Sequence, residues 1–301
     1  MAWLMLWSDR KSHNRLSTDS GVIMKKLLLA TLLAFTLAAP ALAQTAAPEA
    51  APGSPLTANV SLVSSYRFRG IDQTFGRPAL QGGVDYAHAS GLYVGNWNSN
   101  VSSGAGFPDG KLEMDFYGGY KATLGDVGLD VGGIVYYYPG SEGRTLGTNA
   151  DSGAVTNKEI YVGASWKFLS AKYSYSVDDY FSLRGNGAND GKSTKGTGYL
   201  EANASYDLGD GWGINGHVGR LNLKNVANGD YTDWKIGVTK DVSGWVFAAA
   251  YIDTNAKGSC SSGGFYCFAK SWDDDRGVAD LSSSTKDAGR GIAVVSVSRS
   301  F

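Results

Sequence analysis

The sequence predicts an all-β fold, a transmembrane antiparallel up-and-down β-barrel of about 12 strands. Three observations predict it. From Leu56 to Phe301, polar and apolar side chains alternate with period 2, and no segment keeps the 3.6-residue period of a helix. The connections between alternating segments are short and long by turns. The chain holds 41 Gly and 17 Tyr but only 7 Pro among 301 residues. That Gly content is nearly twice the usual ~7%, as a fold rich in turns requires. The same composition excludes other classes. Gly without a triplet period excludes collagen, and the scarcity of Ala/Glu/Lys/Leu repeats excludes a coiled coil. With 27 basic against 28 acidic residues, no basic excess is left for a nucleic-acid surface.

The elements follow in chain order. Residues 1–23 carry Asp9, Arg10, Lys11, Arg15 and Asp19, and precede a second methionine, Met24. They read as an extension from an upstream start. Residues 24–43 read as a secretory signal: Lys25-Lys26, an apolar run from Leu27 to Ala39, then Ala41-Leu42-Ala43 as cleavage motif. The run is too short to span a bilayer as a helix. Removing residues 1–43 takes away five basic and two acidic residues, leaving 258 residues with 22 basic and 26 acidic. Residues 44–55 are rich in Ala and Pro and read as a flexible linker. Residues 56–301 form the barrel.

Twelve strands are expected, at about 57–69, 79–88, 91–100, 111–124, 127–138, 158–168, 170–179, 197–208, 211–222, 232–242, 244–254 and 288–301. Most have the ~9–11 residues that cross a bilayer at a tilt. Every second connection is tight: Ser90-Gly91, Gly125-Asp126, Leu169-Ser170, Gly209-Asp210-Gly211 and Ser243-Gly244. The others are longer: 70–78, 101–110, 139–157, 180–196, 223–231 and 255–287. Short turns on one rim and long loops on the other are the pattern of an outer-membrane barrel. An even strand number brings both termini to the periplasmic rim.

Side-chain parity agrees. Trp212, Ile214 and Val218 oppose Asn215 and His217, and Leu112, Met114 and Phe116 oppose Glu113, Asp115 and Lys121. Trp166, Trp212 and Trp245 sit beside tight turns, whereas Trp97 and Trp234 lie near long loops. Two such levels are expected of an aromatic girdle, because indole favours the headgroup region. A soluble barrel would turn the apolar face inward with the same alternation. Export, loop asymmetry and the tryptophans favour the membrane. In the final strand Val295, Val297 and Phe301 share one face, with Arg299 placed to snorkel to the interface. The terminal Phe301 resembles the signal read by the barrel-assembly machinery. Export also favours a local disulfide between Cys260 and Cys267, the chain's two cysteines.

Two stretches carry a resemblance. Ser64-Ser65-Tyr66-Arg67-Phe68-Arg69-Gly70 opens the barrel, and Gly91-Leu92-Tyr93-Val94-Gly95-Asn96-Trp97 follows. Segment 56–101 resembles the TorF-type porin family of Gram-negative outer-membrane barrels. The resemblance implies an outer-membrane location and a pore. It implies no catalytic residues and no particular solute, and it does not cover the loop 255–287.

Functional expectations rest on the inward face. Arg67, Arg69, Lys121, Lys172 and Lys235, with Asp85, Glu113, Asp115, Asp130, Asp178 and Glu201, are the candidate lumen-lining charges. They can form a selectivity ring or pair into a plug that only stabilises the barrel. Twelve strands lie between a side-chain-filled barrel and a wide aqueous channel. The expectation is passive diffusion of ions or small solutes in contact with outer-membrane lipid, with no cofactor, metal, nucleic acid or enzymatic chemistry. A closed barrel presenting loops as an adhesin or receptor is the alternative, drawing on Asp273-Asp274-Asp275 in the final loop. A lipid acyl hydrolase is the third reading. His88-Ala89-Ser90 has a His-x-Ser spacing that could activate a hydroxyl, but Gly91 follows where Asn is expected, and the pair lies on the turn rim. Gly187–Ser193 mimics a phosphate loop with one residue too few, and no helix follows.

Overall fold

The computed structural model describes residues 54–103, 110–143, 153–270 and 284–301, and the backbone of 272–273 and 278–279. The expected extension, signal and nearly all of the linker lie outside the described residues, as do Asp274 and Asp275. The barrel strands are β1 (Leu56–Val63), β2 (Ala79–Ala87), β3 (Leu92–Asn100), β4 (Leu112–Leu124), β5 (Val127–Tyr137) and β6 (Thr156–Trp166). They continue as β7 (Leu169–Ser176), β8 (Gly198–Gly209), β9 (Trp212–Asn222), β10 (Tyr231–Val242), β11 (Trp245–Thr254) and β12 (Ile292–Ser300). Each strand pairs antiparallel with its sequence neighbours, and β1 closes the barrel against β12 with Ser61 opposite Ser298. Closure leaves no edge strand, so every backbone group of the wall can be bonded without water.

The wall is apolar outside and polar inside. Leu80, Val94, Phe116, Val131, Ile160, Ile236 and Val295 stand exposed on the outer face. Their strand neighbours Gln81, Glu113, Asp115, Glu159 and Asp233 are buried inside. A continuous exposed apolar belt of this kind marks a membrane surface, not a soluble one. The ambiguity of the alternation is thereby resolved. No helix among the described residues is long and apolar enough to cross a membrane.

Composition has a packing cause. Lumen tyrosines lie across glycines of adjacent strands: a Cβ on Gly119 would strike the Tyr93 hydroxyl, and one on Gly219 the Tyr199 hydroxyl. A bare backbone on one strand lets a large ring on the next lie flat inside a narrow barrel. Turn chemistry is equally direct. Ser243 (φ 56°) and Gly244 (φ 83°) form the two-residue connection between β10 and β11, both in the left-handed region, as a hairpin with right-handed strand twist prefers.

Several expected boundaries move. The turn between β6 and β7 is Lys167-Phe168, two residues before the expected Leu169-Ser170. An even shift preserves side-chain parity, so the alternation could not reveal it. β7 ends at Ser176, three residues early, and β12 begins at Ile292 instead of 288. The largest change is in the first strand, expected to run to Arg69. It stops at Val63, and residues 64–76 turn into the barrel.

Candidate functional site

The inturned segment is a hairpin. Arg67–Phe68 pairs with Ile71–Asp72 around Arg69 (φ 48°) and Gly70 (φ 79°). Only glycine adopts the second conformation freely. Space demands it as well, since a Cβ on Gly70 would strike Thr254 and come within 2.8 Å of the Asp233 Cβ. Those residues belong to β11 and β10. Arg69 reaches β6, on the far side of the barrel from β1. The hairpin therefore crosses the lumen. Arg67 and Arg69 thus lie on a plug and not on the strand where their alternation placed them.

Arg69 is the plug's anchor. Its two terminal nitrogens donate to Glu159 Oε1 and Oε2 at 2.9 and 2.7 Å, and Nη1 also donates to the Tyr180 hydroxyl at 3.3 Å. The guanidinium stacks 4.2 Å from the Tyr199 ring centre and 4.8 Å from that of Phe68. Burial disfavours its charge, but Glu159 outweighs burial and holds its pKa well above the usual arginine range. Burial lowers Arg67 instead, with Asp72 acting against it. Burial likewise pushes the Tyr180 hydroxyl up to about 12. Arg67 donates to the Ala288 carbonyl at 2.9 Å and lies 3.4 Å from Asp72, which also pairs with Lys286 at 3.1 Å. Lys286 belongs to the segment Thr285–Asp287, which pairs with Cys267–Ala269, and Cys267 is disulfide-bonded to Cys260. The final loop thus buttresses the plug.

Tyr66, Phe68 and Ile71 of the hairpin pack with Tyr136, Tyr138, Phe181, Leu223 and Tyr266 in one buried cluster at the loop end. Trp97 is part of it. Its ring faces inward, 2% exposed, edge-on to Tyr66 at 5.6 Å, so it is not a girdle residue. Its parity with inward Tyr93 and Ser99 already puts it on the inner face, and the inturned hairpin supplies the apolar partner. Trp166, Trp212, Trp234 and Trp245 do face outward. The three near short turns each lie under a cation, Lys167, Lys240 and Arg299 respectively, and Arg299 also covers Phe301.

Toward the turn rim the lumen is polar and only partly buried. Tyr117 donates to Asp85 at 2.7 Å, and Tyr93 to Asp130 at 2.6 Å. Lys121 lies over the Tyr93 ring, and Lys172 pairs with Glu201 at 2.9 Å. Beneath the plug, buried His217 has its Nε2 3.0 Å from Asp233 and from the Tyr199 hydroxyl, and stands across from Lys235 on the facing strand. Charges are uneven around the wall. Asp85, Glu113, Asp115, Asp130 and Glu159 lie on β2 to β6, while β11, β12 and β1 present small uncharged residues such as Ala248, Ser296 and Ser61. Asp178 is a correction: it lies beyond β7, pairing at 2.7 Å with outward Lys158, both half-exposed. Glu159, His217 and Asp233 were missed as site residues. Parity alone could have found them, since Glu159 alternates with Ile160 and Val162.

His88 Nδ1 does meet the Ser90 hydroxyl, at 2.8 Å, but the Ser90 amide also donates to that nitrogen at 3.2 Å. The pair closes an exposed turn, and among the described residues no carboxylate is hydrogen-bonded to the ring. No three His, Cys, Asp or Glu among the described residues gather to hold a metal.

A family model described as a bacterial protein of unknown function (Gcw_chp) matches residues 47–275. No curated protein sequence matches the chain. Among solved structures, the fold is similar to the NanC porin, with 10% identity and a TM-score of 0.47 over 82% of this chain and 98% of that one. It is also similar to the KdgM porin, with 9% identity and a TM-score of 0.45 over 81% of this chain and 99% of that one.

Proposed function

The chain belongs to the Gcw_chp family of bacterial proteins of unknown function, and we propose that it is a porin-like channel of the outer membrane. Ions or small solutes would pass through a narrow polar lumen that the hairpin of residues 64–76 constricts at the loop end. The observation that carries this reading is the lumen itself. Its turn-side half is charged and partly open, and what closes the other half is a hairpin whose ladder bonds are internal to it. Such a plug can yield without opening the wall. The TorF-type resemblance of segment 56–101 supports the same reading, as does the outward apolar belt with its tryptophans. On this reading both termini lie in the periplasm, and the long loops face outside.

Conductance in planar bilayers tests it. Wild-type protein is expected to give small, rarely open steps, and a variant with residues 65–75 replaced by a Gly-Ser linker is expected to give steps several-fold larger. A second reading is favoured by the packed loop-end cluster. There the barrel is permanently shut and the loops engage a partner. Silence from both proteins, correctly folded, would select it over the channel.

A further inference from the structure

Glu113 and Asp115 stand two apart on the inner face of β4, both with 0% exposure. None of their four carboxylate oxygens accepts a hydrogen bond, and the buried Tyr66 hydroxyl beside them is also unpartnered. Burying one uncompensated carboxylate costs several kcal/mol, and here two lie side by side with Glu159 nearby. The hairpin's arginines do not answer them: Arg69 is committed to Glu159, and Arg67 to Asp72 and the Ala288 carbonyl. The Tyr66 and Tyr138 hydroxyls lie close to Glu113. A bond from each would still leave Asp115 unanswered and both charges uncompensated.

We infer that Glu113, Asp115 and Tyr66 bind one hard divalent cation of the Ca²⁺ class, sealed beneath the plug. The donors are all oxygen, which excludes a preference for soft metals. A charge of +2 balances the carboxylate pair, whereas a monovalent ion would leave one charge buried. Side chains two apart on a strand share one face and can converge on one ion. Among the described residues no third acid or histidine completes the set, so phenolic and backbone oxygens would fill it. Ca²⁺ tolerates such irregular shells, whereas Mg²⁺ demands near-octahedral geometry and keeps its waters. Because Tyr66 belongs to the inturned segment, the ion would tie the plug to the wall. This inference does not depend on whether the barrel conducts.

The test uses the full chain, refolded in synthetic detergent so that no lipid carries calcium, after chelation and dialysis. One Ca²⁺ per chain is expected by elemental analysis on reloading. The unfolding midpoint, followed by near-ultraviolet circular dichroism, is expected to rise by on the order of 5 °C at saturating Ca²⁺. Glu113→Gln with Asp115→Asn should abolish both effects while the barrel still folds, because the changes remove buried charge at constant shape. Should that double variant fail to fold, Tb³⁺ luminescence sensitised by Trp97 replaces it. Emission that Ca²⁺ displaces supports the site, and no emission overturns it. Absence of bound Ca²⁺ with no thermal shift overturns the inference and leaves protonated carboxyls as the answer. A Ca²⁺ shift that persists in the double variant also overturns it, by placing the ion elsewhere.

Discussion

Arg69 shows how one side chain sets the state of the lumen. Its bidentate contact with Glu159 is buried on both sides. Removing one partner of such a pair leaves an uncompensated charge and costs about 3–5 kcal/mol, more than the pair contributes over an apolar substitute. Glu159→Gln is therefore expected to free the hairpin and raise the open probability in bilayer recordings. An unchanged open probability would show that aromatic packing alone holds the plug. Gly70→Val acts on the same hairpin by a different route, since it adds strain at φ 79° and a clash with Thr254 and Asp233. It should make Arg67 or Arg69 accessible to trypsin from the loop side while the strands remain protected. Resistance equal to wild type would place the hairpin's stability outside its turn.

The plug and the final loop act as coupled elements. Asp72 accepts from Lys286, its amide donates to the Ala288 carbonyl, and these partners lie in and directly after the segment Thr285–Asp287, which pairs with the strand that begins at disulfide-bonded Cys267. Breaking the disulfide with Cys260→Ser and Cys267→Ser restores freedom to the unfolded loop, an effect of roughly 2–3 kcal/mol for short closures. Faster amide exchange is expected at 256–270 and at Asp72 and Gln73, with β4 to β9 unaffected. Acceleration confined to 256–270 would mean that the loop does not brace the plug. The barrel itself should keep its heat-modifiable migration, because no strand of the wall depends on this bond.

The whole barrel is an inside-out protein, and its energetics follow the bilayer. An arginine at Val295, on the exposed apolar face, should cost ~2–4 kcal/mol near the membrane midplane. The same change at inward Ser296 meets a polar lumen and should leave folding nearly intact. Urea titration of both variants in lipid vesicles checks the contrast. Equal losses would mean that the outward belt does not face lipid. We propose that the tryptophans near the turn rim, each with its covering cation, hold the barrel's depth at the headgroup level.

Strand number, parity and the turn-and-loop asymmetry were all legible in the residues, because each is a local property. Period 2 places a side chain on one of two faces, and glycine with its small polar neighbours marks the reversals. The inward position of Asp85, Glu113 and Lys235 follows from that parity. What parity cannot report is which of the two faces is wet, since inversion leaves the pattern unchanged. It is equally silent on where alternation continues after the wall has ended. Tyr66, Phe68 and Arg69 kept the rhythm of β1 while their partners lay on β3, β5 and β6, some thirty to ninety residues away. Trp97 is the opposite case: it alternates with outward Leu92 and Val94 and stands opposite inward Asp115, so parity alone placed it inside. The plug exists because a closed barrel brings Glu159 opposite Arg69 and leaves beside Gly70 only the space a bare backbone can occupy. That match forms across the lumen and has no trace in neighbouring residues.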